Sequence, residues 1–275
     1  MRCFKNVLIA DLKRFWNLSW KFYAMFFAFC ILQTSLFYSN MYKLIHKMKI
    51  VSVSLGEALM SFFRGAKEFY PNGNTPIDVP VFELLMLLYL LFIIAYYVNK
   101  DRSALGRSIM LASRSPIYWW ISKCITTLIA ALVYMLIIVI THIACGWIIL
   151  GRHFTCIMAF TSEVNIRYLL ISEDIKCDTN ITLMTVMILL SLITASLIML
   201  LMAYLSNAVF GFIINLVIFI ISICYMKWFF IYNYMMMYRI HHVYNQWKWG
   251  AGLIIIINIA IIGVGIMYSR RKDFL

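Results

Sequence analysis

Residues 124–150 read CITTLIAALVYMLIIVITHIACGWIIL, a run without a single Lys, Arg, Asp, Glu or Pro. A bilayer hydrocarbon core about 30 Å thick is crossed by about 20 apolar residues of helix, so this stretch is long enough to span. A helix closes all of its backbone hydrogen bonds within the segment, which lipid demands. Working outward, five more stretches have the same character: Phe22–Tyr38, Val81–Val98, Ile181–Leu205, Val209–Met226 and Gly250–Tyr268. Among the six, Glu83 is the only Lys, Arg, Asp or Glu.

Composition agrees. Of 275 residues, 64% are hydrophobic and 13% charged, mean hydropathy is +0.88, and a soluble domain carries about 25% charged residues. Glycine (11) and proline (4) are sparse beside Met (18), Phe (20) and Tyr (17), which suits long helices better than a turn-rich barrel. The expected fold is all-α: a polytopic membrane protein with six transmembrane helices forming a single domain over 1–275. The 24 Lys and Arg residues give a formal charge of +13 but fall in short clusters between apolar stretches, so they speak for topology rather than for nucleic acid.

An even number of spans puts both termini on one side. The arm through Lys21, the 99–123 loop and the tail after Tyr268 hold 5, 5 and 3 Lys/Arg, 13 together. The other side holds the remaining 11 Lys/Arg, spread over about 95 residues, together with eight of the eleven acids. The density predicts cytoplasmic termini in a multi-pass protein of the cytoplasmic (plasma) membrane.

The 1–21 arm is amphipathic if helical, with Phe4, Leu8, Leu12 and Phe15 on one arc and Lys13, Arg14 and Asn17 on another. It is expected as an interfacial helix, the alternative being a plain lead-in to the first span. In the first outer segment, 39–80, Ser54 and Glu57 have capping-box spacing before an apolar run that ends near Tyr70–Pro71. A helix resting on the bundle or a re-entrant dip both fit. The second outer segment, 151–180, carries Glu163, Glu173, Asp174 and Asp178 without the spacing of a calcium loop. Cys156 and Cys177 there are candidates for a disulfide.

Nucleotide chemistry is absent from the sequence. There is no Gly-Lys dipeptide and hence no phosphate-cradling G-x-x-x-x-G-K-[ST] loop. H-E-x-x-H and G-x-S-x-G are missing, the seven cysteines contain no C-x-x-C pair, and the five histidines are scattered, so no catalytic or metal site is predicted and no cofactor is assigned to the chain itself. Glu83 and His142 approach the outer surface and read as interfacial polar residues rather than a proton relay.

The 99–123 loop is the most informative connection. Ser115–Pro116 is an N-cap and first-turn pair that should open a helix leading into the third span. Ser103–Ser113 then forms its own short helix across the membrane face, with Leu105 and Ile109 four apart and Arg102, Arg107 and Arg114 around them. Tyr118, Trp119, Trp120 and Lys123 are expected as interfacial anchors. Further on, Asn207, Gly211 and Asn215 form one stripe at spacings of four, suited to close helix packing; Ser191, Thr194 and Asn258 join that seam or a translocation path.

The loop with Asp101, Gly106, Arg114, Ser115 and Trp119–Lys123, followed far downstream by Arg270-Arg271-Lys272-Asp273-Phe274 after the last span, resembles the membrane subunits of bacterial ABC type-2 exporters over essentially the whole length. The long first outer segment departs from that pattern. The resemblance implies that the N-terminal arm is a connecting helix and that the loop, with Arg102, Leu105, Gly106, Arg107, Ile109 and Arg114, is a coupling helix docking into an ABC ATPase. It also implies a second permease subunit, ATP and magnesium held by the partner ATPase, and an amphipathic substrate such as a peptide, drug or lipid. Other readings of the residues are a membrane scaffold or sensor component and an intramembrane enzyme.

Overall fold

The computed structural model describes residues 2–48, 52–66, 69, 78–102, 115–161, 180–239, 243 and 245–271. Its first helix, α1 (Arg2–Met48), is 47 residues long, about 70 Å at 1.5 Å per residue. Two features of the sequence account for that length. No Gly or Pro interrupts residues 2–48. The buried positions Val7, Asp11, Phe15, Ser19, Tyr23, Phe26, Cys30, Thr34, Tyr38, Met41 and Ile45 recur every three or four residues, one stripe from end to end. The expected division into an interfacial helix over 1–21 and a separate span is therefore corrected to a single helix that passes Lys21 without interruption. Its inward face is also rotated from the one read off Phe4, Leu8, Leu12 and Phe15: Val7, Asp11 and Phe15 are buried, while Phe4, Leu8 and Leu12 are only half-buried.

A short strand β1 (Val53–Ser54) leads into α2 (Leu55–Phe62). Here the capping box forms: Ser54 Oγ accepts the Glu57 N–H at 3.0 Å and Glu57 Oε2 accepts the Ser54 N–H at 2.9 Å. The helix ends at Phe62, well before the expected Tyr70–Pro71, because the next carbonyls are committed elsewhere. Phe63 O and Arg64 O accept the Met237 and Tyr238 N–H groups, and Gly65 takes φ +73. There follow α3 (Val81–Arg102), α4 (Pro116–Leu150), β2 (Phe154–Thr155), α5 (Ile181–Leu205), α6 (Ala208–Cys224) and α7 (Trp247–Arg271). Pro116 opens α4 after Ser115. The fold is that of an all-α membrane protein, and α1, α3, α4, α5 and α7 are each long and apolar enough to cross a bilayer. α6, with 17 residues, is shorter.

The segments around β1, β2 and 225–239 gather at one end of the bundle. β1 pairs in parallel with β2, the Gly56 N–H donates to Ile157 O, and Thr161 donates to Glu57 Oε1 through both its N–H and its hydroxyl. Residues 225–239 return into the bundle as two 3-10 turns, Ile231–Met235 and Met237–Arg239, every residue of which is buried. Ser191 Oγ donates to Ile231 O, a contact about 15 Å along α5 from its start. Irregular backbone at such depth needs internal partners. Asn233 Nδ2 donates to Tyr225 O and Lys227 O, and the Tyr232 hydroxyl donates to Asn215 Oδ1. Arg239, fully buried, donates to Ala66 O, Ser222 O, Ile223 O and Asn233 Oδ1. Its cation sits on the last carbonyls of α6, where the helix dipole favours it, and so fixes where that helix stops.

Close approach of α4 and α7 depends on Gly265, where a Cβ would collide with the Trp120 indole, whose Nε1 donates to Ile262 O at 3.1 Å. Gly263, two residues away, faces open space. Gly265→Ala is expected to cost about 1–3 kcal/mol and to lower the thermal unfolding midpoint in detergent, whereas Gly263→Ala leaves that midpoint unchanged. Equal midpoints for the two variants would remove this contact from the packing account.

A buried ion-pair cluster as the candidate functional site

At the opposite end of the bundle from these connecting segments, three helices meet around one ammonium group. Asp11 lies on the buried stripe of α1, Asp101 is the penultimate residue of α3, and Lys123 is in the second turn of α4. Lys123 Nζ is 2.6 Å from Asp11 Oδ1 and 2.9 Å from Asp101 Oδ2. It also donates to the Tyr97 hydroxyl at 2.9 Å. The rings of Tyr97 and Trp119 lie 5.0 and 5.8 Å from the same nitrogen, within cation–π range. Ser122 donates to Asp11 Oδ2 at 2.5 Å, and the Tyr204 hydroxyl of α5 donates to Asp101 Oδ2 at 2.9 Å.

Arg14, one turn after Asp11, completes the charge count. Its Nη1 is 3.0 Å from Asp101 Oδ1, a charge contact rather than a well-aligned hydrogen bond, and its Nη2 donates to Lys100 O at 2.8 Å. Two carboxylates thus face two cations and the group is formally neutral. Neutrality is what makes burial tolerable, because an isolated ion taken out of water costs several kcal/mol. Asp11 and Lys123 are wholly enclosed, whereas the Arg14 side chain keeps 15% of its surface. The cluster is therefore sealed on the α4 side and reaches the surface through α1.

The aromatic roof explains where the expected interfacial anchors went. Trp119 and Trp120 are 4% and 1% exposed, Trp119 edge-on to Tyr204 at 5.1 Å. With Lys123 they line the protein interior, so the expectation of anchors at the headgroup level is corrected for all three. Their reason for clustering is the buried charge they enclose. Tyr118 points the other way, exposed, with Phe4 of α1 at 5.7 Å.

The cluster brackets a loop. Asp101 and Arg102 end α3, Ser115 and Pro116 open α4, and the residues expected to form the coupling helix, Leu105, Gly106, Arg107, Ile109 and Arg114, lie outside the described residues, as does the Arg102 side chain. What the structure describes is how both feet of that loop are held to α1. The other expected residues are dispersed. Asn207 caps α6 by accepting the Phe210 N–H, Gly211 packs against Met199, and Asn215 is buried between Gly211 O and Tyr232. Ser191 and Asn215 both hold the 231–235 turn, while among the described residues Thr194 bonds only within α5 and Asn258 Oδ1 has no partner. Cys156 is a free, exposed thiol, and Cys177 lies outside the described residues. Among the described residues no group of three His, Cys, Asp or Glu side chains is placed to hold a metal.

Asp11, Arg14, Tyr97 and Tyr204 were not singled out as site residues from sequence. The available signal was sign: the three acids on the otherwise cationic side are Asp11, Asp101 and Asp273, and two of them build the cluster. Compared with protein-family models, curated proteins and solved structures, the chain matches none.

Lys123→Met leaves Asp11 buried without a counter-charge, while Asp101 keeps Arg14, and is expected to cost about 3–5 kcal/mol. Adding Asp11→Asn should recover most of that loss, since it neutralises the stranded carboxylate while Asp101 stays paired with Arg14. Chemical denaturation in mixed micelles measures both; a single variant as stable as the parent would show that the charges are solvated in the membrane-embedded protein.

Proposed function

We propose that the chain is the permease subunit of an ATP-driven exporter, with α6 as the sixth span and both termini in the cytoplasm. The observation that carries this reading is the brace formed by Asp11, Arg14, Asp101 and Lys123 at the two feet of the 103–114 loop. A loop that receives a push from a partner transmits it only if its feet are rigidly tied to the spanning helices. Here α1, α3, α4 and, through Tyr204, α5 are tied to one another by buried charge and hydrogen bonds, so displacement of the loop is displacement of four helices. An unbraced loop would absorb the same displacement by bending.

The resemblance to ABC type-2 membrane subunits supplies the rest. The partner is an ABC ATPase that holds ATP and magnesium, Leu105 and Ile109 provide its apolar anchor, and Arg102, Arg107 and Arg114 steer it electrostatically. A second permease subunit completes a path for an amphipathic substrate. The brace turns the ATPase's motion into helix motion, and the long α1, reaching from the cluster to the connecting segments at the far end, carries that motion the length of the bundle.

Leu105→Asp with Ile109→Asp leaves the Lys/Arg count, and hence topology, untouched. The double variant is expected to insert normally and to lose ATPase co-purification. Full retention of ATPase activity in the purified membrane complex would contradict the coupling assignment.

A further inference from the structure

At the end of the bundle away from the ion cluster, a cleft of about 530 Å³ opens between α1, through Gln33 and Leu36, and the first turn of α3, through Phe82 and Glu83, with His142 of α4 in its lining. That volume is in the range of small-molecule sites. His142 is 1% exposed, yet among the described residues neither ring nitrogen has a hydrogen-bond partner. Its ring is held edge-on between Tyr38 at 6.0 Å and Phe62 at 5.1 Å. Buried polar groups in folded proteins are paired in the great majority of cases. A neutral imidazole offers one donor and one acceptor; here both are idle beside an open volume.

The charges around the cleft restrict what fits. Arg64 lines it, but its guanidinium is engaged by the Tyr238 hydroxyl at 2.5 Å and by the Tyr238 ring. Two carboxylates, Asp78 and Glu83, also line it. That balance disfavours an anionic headgroup and favours hydroxyls, which donate to carboxylates and both donate to and accept from imidazole. The remaining lining combines neutral polar side chains, Gln33, Asn40 and Ser61, which also suit hydroxyls, with apolar ones, and Leu36 and Val81 are exposed, as they would be where a cleft opens toward lipid.

We propose that this cleft binds a neutral, polyol-headed amphipath, its hydroxyls on His142 and Glu83 and its alkyl chain along Leu36 and Phe82. The site is complete within one chain and owes nothing to an ATPase, so it stands apart from the export reading. A glycolipid and a free sugar share the headgroup chemistry and differ in the tail.

The test is photo-crosslinking of the full chain in phosphatidylcholine nanodiscs with a diazirine-bearing dodecyl glucoside, followed by peptide mapping. Labelling is expected on the α1 and α3 peptides that contain Leu36 and Phe82. Unlabelled dodecyl glucoside should compete it away, while dodecylphosphocholine, which has the same tail and no hydroxyl donor, and glucose, which has no tail, should not. His142→Phe keeps the aromatic edge contacts and removes both nitrogens, and is expected to reduce competable labelling about tenfold. Ser61→Trp, which fills the cleft from α2, should abolish it; each variant is checked for monodisperse elution. Labelling spread over the lipid-facing surface, equal competition by dodecylphosphocholine or by glucose, or labelling unchanged in Ser61→Trp would overturn the proposal.

Discussion

A lysine ammonium enclosed between two aspartates is the constraint on which the rest of this structure hangs. Lys123 has no access to solvent, so its charge is tolerable only while Asp11 and Asp101 remain within about 3 Å. Those three residues belong to three different helices, and none of the three can leave without stranding a buried ion. The surrounding hydrogen bonds, donated by Ser122 and Tyr204 to the carboxylates and accepted by Tyr97 from Lys123, follow from the same need, since each remaining lone pair or proton in a low-dielectric site requires its own partner. The continuity of α1 follows as well: Asp11 can reach Lys123 only if the arm stays in register with the span that packs beside α4.

The two ends of the bundle solve different problems by different means. At the ionic end, charge is the difficulty and pairing of side chains resolves it. At the other end, irregular backbone is the difficulty, because residues 231–239 are buried against α5 and α6. Asn233 and Ser191 satisfy that backbone with side-chain donors, and Arg239 does the same for Ala66 and the end of α6. Between the ends the packing is apolar and aromatic, as in the stack of Phe26 on Tyr134 at 3.8 Å, and hydroxyls such as Ser19 and Thr34 bond back to their own helix.

Much of the fold was legible because lipid imposes a simple rule on sequence. Residues 81–98, 124–150 and 181–205 carry long apolar runs, and the helices begin and end close to where those runs do; the Ser54–Glu57 box and the Ser115–Pro116 start were readable from cap chemistry alone. Continuity of α1 was not, because Lys13, Arg14, Asn17 and Lys21 suggest an interface boundary while the buried stripe crosses it at Phe15, Ser19 and Tyr23. The cluster was half legible. Lys123 read as one more topological cation, and only the oddity of Asp11 and Asp101 on a cationic side hinted at a buried partner. Arg239 was out of reach, since its role depends on a loop that folds back to meet α6 and no local pattern announces that return. Trp119 and Trp120 carried a true signal with the wrong address: aromatic residues beside a lysine mark a water interface or an enclosed cation equally well.

The claim that buried charge pins the N-terminal arm to the bundle is tested most directly by hydrogen exchange of the full chain in nanodiscs, read at the backbone amides of residues 8–18. The account predicts slow exchange there in the parent, comparable to the 20–30 stretch of the same helix, and exchange accelerated by orders of magnitude in Lys123→Met while the 20–30 stretch keeps its protection. Fast exchange of 8–18 in the parent, or protection unaffected by the loss of Lys123, would contradict it.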